Sequence, residues 1–183
     1  MLAPMDATAL RPTYVSEAEY LTQDETVIRQ ELLDGEVVVS PAPTRLHQEV
    51  LGELYVHLRL WARGRNATVG IAPNDVRFGP DRILQPDAFV FLEAINLHEA
   101  GPIRRVPDLC VEVISYNNRA YDLVTKRLIY GNSGVREYWI IDPNGSAERW
   151  YGEGLTQAAR VEGYLESPLL PGFRVPLGDI FPR

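Results

Sequence analysis

Two acidic residues, Glu112 and Asp87, occupy positions where the sequence suggests a chemical role for an ionised side chain. Glu112 lies in the run 109–115, which is almost entirely apolar and predicts a central strand buried on both faces. A carboxylate there is costly unless it is paired or binds a metal. Asp87 follows a break at Pro86 and precedes the apolar run 88–91, which could lie beside the strand of Glu112. Magnesium takes one or two carboxylate ligands and keeps several waters, so this pair predicts a minimal magnesium site.

Lys126 is the only lysine among 18 basic residues. Because an ammonium is compact and its pKa is tunable, a retained lysine suggests chemistry that arginine cannot do. Asp122, Lys126 and Tyr130 recur at i, i+4 and i+8 and therefore share one helical face. A lysine there could orient and help deprotonate an attacking water, or stabilise charge on phosphorus-bound oxygens. Spacing alone equally allows an ordinary surface pair of Asp122 and Lys126, and Asp87 alone could be a turn residue after Pro86.

Composition bounds the class of protein. The chain has 183 residues, of which 45% are apolar, enough for one core. Cys110 is the only cysteine, so neither a disulfide framework nor a cysteine zinc site can form within one chain, and a cytoplasmic location is expected. No apolar run is long enough to predict a membrane span. The formal net charge of -7 argues against coating nucleic acid by bulk electrostatics, so any polyanion requires a local basic patch.

Capping, periodicity and turn residues predict the elements that must carry these side chains. The predicted helices are 16–21, with a capping box of Ser16 and Glu19, then 44–63, and 119–130, which ends near Gly131. The predicted strands are 27–33 and 36–40, joined by a hairpin turn at Asp34-Gly35, then 68–78, 83–92, 109–115, 135–141, 147–151, 163–166 and 173–175. We therefore predict an α/β (α+β) protein with a mixed central sheet flanked by helices, in which a loose segment 1–13 precedes a single domain, 14–183.

Six short motifs together resemble one known family. They are Glu31-Leu-Leu-Asp-Gly-Glu36, Pro41-Ala-Pro43 with His47, Gln85-Pro-Asp87, Pro107-Asp-Leu-Cys-Val-Glu-Val-Ile-Ser115, Asp122 with Lys126, and Gly134-Val-Arg-Glu-Tyr-Trp-Ile-Ile-Asp-Pro143. With these motifs the chain is similar, from about Glu17 to Val175, to the Uma-two family of the PD-(D/E)XK restriction-endonuclease-like superfamily. The motifs are specific as a set, whereas none would be alone.

The resemblance implies a restriction-endonuclease-like core and gives roles to its residues. Asp87 and Glu112 would hold the metal, with the main-chain carbonyl of Val113 as a further ligand. Lys126 would be the lysine of the superfamily, moved from the strand to the next helix. Three other residues would belong to the site or lie next to it, namely the additional acid Glu31 and the neighbours Gln85 and Ser115. The chain departs from the family after the strand glutamate, where a Ser-Pro-Ser-Thr-like turn is usual and Ser115-Tyr-Asn-Asn118 stands instead.

These observations predict an endonuclease that hydrolyses phosphodiester bonds in DNA with magnesium or manganese. The expected phosphate contacts are the arginines that flank the site, Arg104, Arg105, Arg119 and Arg127. Asp122 and His47 are candidate supporting residues. His47 could contact a phosphate or a base, although a lone histidine at a helix start is more often a capping or surface residue. A homodimer is the expected assembly.

Three other functions fit the same residues. One is a homo-oligomeric interaction protein, whose assembly size-exclusion chromatography with light scattering would test while leaving catalysis open. A nucleic-acid or protein-binding module would keep the fold without turnover, which the negative charge and the altered turn after Ser115 favour. It predicts binding without magnesium and no loss of function in Asp87→Asn. A metal-dependent phosphoesterase for nucleotides or small phosphorylated molecules would suit an acidic surface better than long duplex DNA. Competition by free nucleotides would separate it from a nuclease.

Overall fold

The computed structural model describes residues 14–23, 28–114 and 121–182, so the predicted loose segment 1–13 lies outside the described residues. In chain order the strands are β1 (Gln30–Leu33), β2 (Glu36–Val39), β3 (Thr68–Ile71), β4 (Val76–Gly79), β5 (Arg82–Leu84), β6 (Ala88–Phe91), β7 (Leu109–Val113), β8 (Glu137–Asp142), β9 (Ser146–Tyr151), β10 (Gln157–Arg160), β11 (Tyr164–Glu166) and β12 (Arg174–Pro176). The α-helices are α1 (Glu17–Tyr20), α2 (Arg45–Ala62) and α3 (Arg127–Ser133), and a π-helical segment, Tyr121–Lys126, runs directly into α3.

A six-stranded mixed sheet forms the framework, in the order β10-β9-β8-β7-β6-β3. Strands β7 and β8 are parallel, and the other neighbours in this sheet are antiparallel. The parallel pair requires a crossover, which contains the π-helical segment and α3. All five residues of β7 are buried, as expected for a central strand covered on both faces. The predicted class, a mixed sheet flanked by helices, is confirmed.

A second, four-stranded sheet has the order β2-β1-β5-β4. Its β1–β2 hairpin turns at Asp34 and Gly35, whose φ angles are 50° and 86°, as the predicted two-residue turn requires. The prediction of single strands over 68–78 and 83–92 is wrong, because each run is divided between the two sheets. Prolines stand at both breaks, Pro73 and Pro86, and proline cannot donate a ladder hydrogen bond.

Helices α1 and α2 begin where the sequence predicts. The start of the predicted helix 119–130 lies outside the described residues, and its described part is a π-helical segment, Tyr121–Lys126, that runs into α3, which ends later than predicted. Ser16 and Glu19 form the predicted capping box of α1, and the Thr44 hydroxyl accepts a hydrogen bond from the His47 N–H at the start of α2. Helix α3 continues past Gly131 to a left-handed cap at Gly134, with φ 95°. Gly131 serves close packing instead, because a Cβ at this position would lie 2.5 Å from the Gly154 carbonyl oxygen.

Two apolar cores cover the two faces of the six-stranded sheet. Helix α2 packs on one face with Leu54 and Leu58 against Val111, and α3 packs on the other with Tyr130 against Cys110. Odd-numbered residues of β7 therefore face α2, and even-numbered residues, Glu112 among them, face α3. Strand β10 was not predicted, because its exposed residues show no apolar alternation. No helix in the described part of the chain is both long and apolar enough to cross a membrane.

Candidate active site

Asp87 lies in the connection that leaves β5 of one sheet and enters β6 of the other, and only 2% of its surface is exposed. Its Oδ1 lies 2.7 Å from Arg29 Nη1, and its Oδ2 lies 3.0 Å from His47 Nε2 and 2.8 Å from the Val113 amide nitrogen. Burial alone would raise the pKa of Asp87, but the His47 hydrogen bond and the Arg29 charge hold that pKa below its usual value. Asp87 is therefore an ionised carboxylate at neutral pH.

The backbone of Val113 points toward Asp87. The next residue, Ile114, donates its N–H to the Ile141 carbonyl on the β8 side of the strand. Successive residues of a strand present their N–H and C=O groups to opposite sides, and one residue presents both to the same side. The Val113 carbonyl therefore points to the β6 side, as its N–H does. This direction agrees with the ligand role that the sequence resemblance implies.

Glu112 projects from β7 toward α3, where two donors hold one of its oxygens. Oε1 lies 2.9 Å from Lys126 Nζ and 2.7 Å from the Tyr130 hydroxyl, and Oε2 lies 3.9 Å from Arg29 Nη2. Burial raises the pKa of Glu112 well above its usual value, and the nearby Asp87 charge adds to this shift while Lys126 opposes it. A further positive charge near Glu112 would therefore favour its ionised form.

Lys126 connects three carboxylates although almost none of its surface is exposed. Besides Glu112, its Nζ lies 3.2 Å from Glu31 Oε1 and 3.7 Å from Asp122 Oδ1. Burial would lower the pKa of Lys126, but Glu112 and Glu31 raise it above its usual value, so the ammonium keeps its proton. Burial raises the pKa of Asp122 to about 6. Asp122 and Lys126 are therefore not an ordinary surface pair.

Glu31 enters the site from β1 of the four-stranded sheet and is fully buried. Oε1 accepts a hydrogen bond from the main-chain N–H of Gln85 at 2.7 Å, and Oε2 accepts one from the Tyr121 hydroxyl at 3.3 Å. The main-chain carbonyl of Gln85 accepts a hydrogen bond from Arg29. The two sheets therefore meet at this site, because Glu31 belongs to one and Glu112 to the other.

Arg29 is the main residue that the sequence interpretation missed. Its guanidinium contacts Asp87 closely and lies 3.8 Å from Glu31 and 3.9 Å from Glu112. Its Nε is buried and has no hydrogen-bond partner among the described residues. One signal was present, since side chains two apart in an extended segment point to the same side, and Arg29 precedes Glu31 by two. We call these six residues the acidic cluster: Arg29, Glu31, Asp87, Glu112, Asp122 and Lys126.

The acidic cluster holds more carboxyl groups than cations, four against two. A divalent cation would balance two further charges, and magnesium accepts carboxylate and carbonyl oxygens together with water. The donors Asp87, Glu112 and the Val113 carbonyl fit that preference. Across residues 14–23, 28–114 and 121–182, no group of three or more His, Cys, Asp and Glu side chains is arranged to hold a metal by itself. A metal here would therefore keep several waters.

The remaining predicted residues are exposed, contact groups outside the acidic cluster, or lie outside the described residues. Arg104 and Arg105 are exposed, and Arg105 lies 3.2 Å from Glu93. Arg127 donates to the carbonyls of Leu123 and Leu155 and covers the Trp150 ring, 4.4 Å from its centroid. Two predicted residues, Ser115 and Arg119, lie outside the described residues. The phosphate-binding role of the four arginines stays a prediction.

Comparison with known proteins agrees with the family resemblance seen in the sequence. The family model Uma2, described as "Putative restriction endonuclease", matches residues 17–178. A solved structure described as "a putative nuclease belonging to DUF820 from Anabaena variabilis ATCC 29413" is similar with a TM-score of 0.79 and 20% identity, over 91% of this chain and 97% of that one. At this identity the likeness shows a shared fold. No curated protein matches the chain.

Proposed function

Because the chain belongs to the Uma2 family, we propose that it is a magnesium- or manganese-dependent endonuclease that hydrolyses phosphodiester bonds in DNA. One observation carries the proposal: three separate segments bring Asp87, Glu112 and the only lysine, Lys126, into one buried cluster. A carboxylate pair with a lysine is the chemistry that metal-assisted phosphodiester hydrolysis needs. An arrangement this costly to bury is expected where function requires it.

The metal would be held by Asp87, Glu112 and the Val113 carbonyl. When bound, it would lower the pKa of a coordinated water and neutralise charge on the scissile phosphate. His47 and the Val113 N–H fix the Asp87 carboxylate from two directions, since both contact Oδ2. The other oxygen of Asp87, Oδ1, accepts a hydrogen bond from Arg29. The protein therefore fixes the orientation of this ligand before a metal arrives.

Lys126 supplies charge and orientation rather than a base. Its pKa is raised by Glu112 and Glu31 against the effect of burial, so Nζ keeps its proton at neutral pH. A protonated ammonium can donate a hydrogen bond to a water or to a phosphate oxygen that gains charge in the transition state. Of the two roles that the sequence left open, stabilisation of charge is the one that the raised pKa supports.

Nucleic acid would approach the site past exposed arginines. Arg104 and Arg105 are exposed. They directly follow Ile103, which forms an isolated β-bridge with Val76 of β4. They are the proposed phosphate contacts, together with Arg119. Arg127 is a weaker candidate, because its guanidinium already binds two carbonyls. The net charge of -7 makes such local contacts necessary.

Cleavage of supercoiled plasmid and of labelled single strands tests the proposal. Wild-type protein is compared with Asp87→Ala and Glu112→Ala, with magnesium, with manganese and with a chelator. We expect metal-dependent cutting that both variants lose. Absence of cutting by folded wild-type protein, together with absence of metal binding in calorimetry, would overturn it.

A binding module without turnover is the second candidate, and one observation favours it. Arg29 and Lys126 already contact the carboxylates of Asp87 and Glu112, so the cluster has counter-ions without a metal. This function predicts nucleic-acid binding that a chelator leaves unchanged and that Asp87→Asn does not weaken. Calorimetric titration with magnesium separates the two functions, because the nuclease must bind the metal and release or take up heat, whereas the binding module need not bind it.

We expect a homodimer. We also expect a cytoplasmic location, with which the buried, free Cys110 agrees. Size-exclusion chromatography with light scattering tests the assembly independently of catalysis.

A further inference from the structure

The Arg29 guanidinium lies between the two proposed metal ligands. Nη1 lies 2.7 Å from Asp87 Oδ1, and Nη2 lies 3.9 Å from Glu112 Oε2. Nη2 also lies 3.8 Å from Glu31 Oε1. One planar cation therefore reaches carboxylates from three separate segments of the chain. We call the space between Asp87 Oδ1 and Glu112 Oε2 the metal position.

The other oxygen of each metal ligand already has two protein donors. For Asp87 Oδ2 and Glu112 Oε1 respectively, these are His47 with the Val113 N–H, and Lys126 with Tyr130. Within residues 14–23, 28–114 and 121–182, Arg29 is the only hydrogen-bond donor to Asp87 Oδ1, and no residue donates a hydrogen bond to Glu112 Oε2. A carboxylate has about four lone-pair sites, two on each oxygen. A metal is thus directed to the two oxygens that face Arg29.

A magnesium ion and the guanidinium cannot share the metal position. Magnesium approaches its oxygen ligands to about 2.1 Å and keeps several waters. The guanidinium already holds a nitrogen 2.7 Å from Asp87 Oδ1. Two cations this close to each other would also repel. Arg29 must therefore leave both oxygens before a metal can bind them together.

Arg29 can leave because its side chain is less buried than the carboxylates that it contacts. It is 23% exposed, whereas the side chains of Glu31, Asp87 and Glu112 are exposed by at most 2%. Its buried Nε has no partner among the described residues, so the present position leaves one N–H unsatisfied. The Arg29 carbonyl accepts from the Ser40 N–H, which anchors the backbone beside the β1–β2 hairpin. The side chain can therefore swing outward while the backbone stays in place.

The displaced guanidinium needs a new anion, because it gives up its carboxylate partners. A phosphate of nucleic acid matches it, since a guanidinium binds phosphate oxygens through two parallel hydrogen bonds. We infer that Arg29 holds the metal position and moves to the scissile phosphate of the substrate when magnesium binds. The inference rests on the proposed function and deepens it, because it makes Arg29 a further catalytic residue. By linkage, magnesium and nucleic acid then strengthen each other's binding.

Calorimetric titration with magnesium tests the displacement without substrate and without cleavage. Arg29→Met removes the competing cation, and the matched control Lys126→Met removes the other cation of the acidic cluster. On charge alone the control should gain at least as much magnesium affinity, since Lys126 lies closer to Glu112 than Arg29 does. We expect Arg29→Met to bind magnesium about tenfold more tightly than both wild type and the control. An affinity no higher than that of either would overturn the displacement.

NMR of the wild-type protein keeps the test decisive if Arg29→Met fails to fold. Arg29→Lys keeps the positive charge and identifies the Nε–H signal of Arg29 by its absence. Saturation with magnesium should shift this signal and speed its exchange with water, because the buried Nε moves outward. A signal that saturating magnesium leaves unchanged would contradict the movement.

Cleavage of labelled single strands tests where Arg29 moves. At saturating magnesium, Arg29→Met should have a kcat about a hundredfold below that of wild type, because a donor to the transition state is lost. KM should change less than kcat. Arg160→Met, on the exposed end of strand β10, is the control and should match wild type. A wild-type kcat in Arg29→Met would reject the phosphate contact.

Failure of this inference and failure of the nuclease give different results. Cutting by wild type, without a gain of magnesium affinity in Arg29→Met, rejects the displacement and retains the nuclease. Tighter magnesium binding by Arg29→Met, without cutting by wild type, retains the displacement and rejects the nuclease. Absence of magnesium binding by wild type and by both Met variants rejects both.

Discussion

Two buried glutamates on adjacent parallel strands have opposite surroundings. Glu112 of β7 shares the acidic cluster with three other carboxyl groups and two cations. Glu137 of β8 accepts hydrogen bonds of 2.6 Å from three donors, Trp139 Nε1, Arg149 Nε and the Ser167 hydroxyl. One carboxylate with a full set of donors stabilises a fold. An excess of carboxylates over cations is unfavourable for folding and therefore marks a site.

The largest contrast is expected between Glu112→Gln and Glu137→Gln. Loss of the Glu112 charge should reduce metal-dependent cleavage about a hundredfold to a thousandfold, with little loss of stability, because the cluster has surplus negative charge. Glu137→Gln should keep the rate and lower the free energy of unfolding by about 1–3 kcal/mol. Cleavage rates and urea unfolding measure both. If folded Glu137→Gln lost as much cleavage as Glu112→Gln, the assignment of Glu112 to function and Glu137 to stability would be wrong.

The cations that face the two glutamates provide the next comparison. Lys126→Met should lower cleavage about a hundredfold and stability by about 3 kcal/mol, because it leaves Glu112 buried and unpaired. Arg149→Met should cost less stability, since this side chain is 18% exposed and Glu137 retains two other donors, and it should leave the rate unchanged.

The double variant Lys126→Met with Glu112→Gln separates stability from catalysis. We expect it to recover most of the stability and none of the cleavage. Recovery of cleavage would contradict the catalytic role of Lys126.

The surplus of carboxylates also predicts a pH dependence. Burial raises the pKa of Asp122 to about 6, whereas an aspartate of an unfolded chain titrates near about 4. At pH values between these two pKa values, Asp122 has lost its proton in the unfolded chain but keeps it in the native protein. The contribution of Asp122 to stability is therefore complete below pH 4 and is lost as the pH rises to 6.

Urea unfolding of metal-free protein at pH 4 and pH 7 measures this contribution. Wild type should lose on the order of 2 kcal/mol more than Asp122→Asn over this interval. Glu162→Gln, an exposed control, should follow wild type. Parallel pH profiles of wild type and Asp122→Asn would contradict the effect.

The sequence predicted those members of the acidic cluster whose local context is anomalous. Glu112 interrupts an apolar strand, and Asp122 and Lys126 share a helical face. Glu31 was identified only through the family resemblance. Arg29 was missed because its partners Asp87 and Glu112 are distant along the chain, and its spacing of two residues from Glu31 is by itself too short a pattern to identify it. Which of these residues catalyse stays a prediction.

The same limit explains the errors in the fold. The runs 68–78 and 83–92 have strand composition throughout, and their division between two sheets depends on long-range pairing. Glu137 was overlooked although it lies in a recognised motif. Its partners Arg149 and Ser167 are 12 and 30 residues away, so local sequence gives no sign of a satisfied carboxylate.

The finest comparison removes one hydroxyl donor from each glutamate. Tyr130 donates to Glu112 Oε1 at 2.7 Å and Ser167 donates to Glu137 Oε2 at 2.6 Å. Ser167→Ala should cost more stability, because the Ser167 hydroxyl also accepts from the Leu169 N–H. Tyr130→Phe should weaken magnesium binding about tenfold, since a ligand without its hydrogen-bonded support is less well oriented. Calorimetry with magnesium decides between them: if Ser167→Ala changes the affinity as much as Tyr130→Phe, the two glutamates belong to one electrostatic network and their surroundings do not separate structure from function.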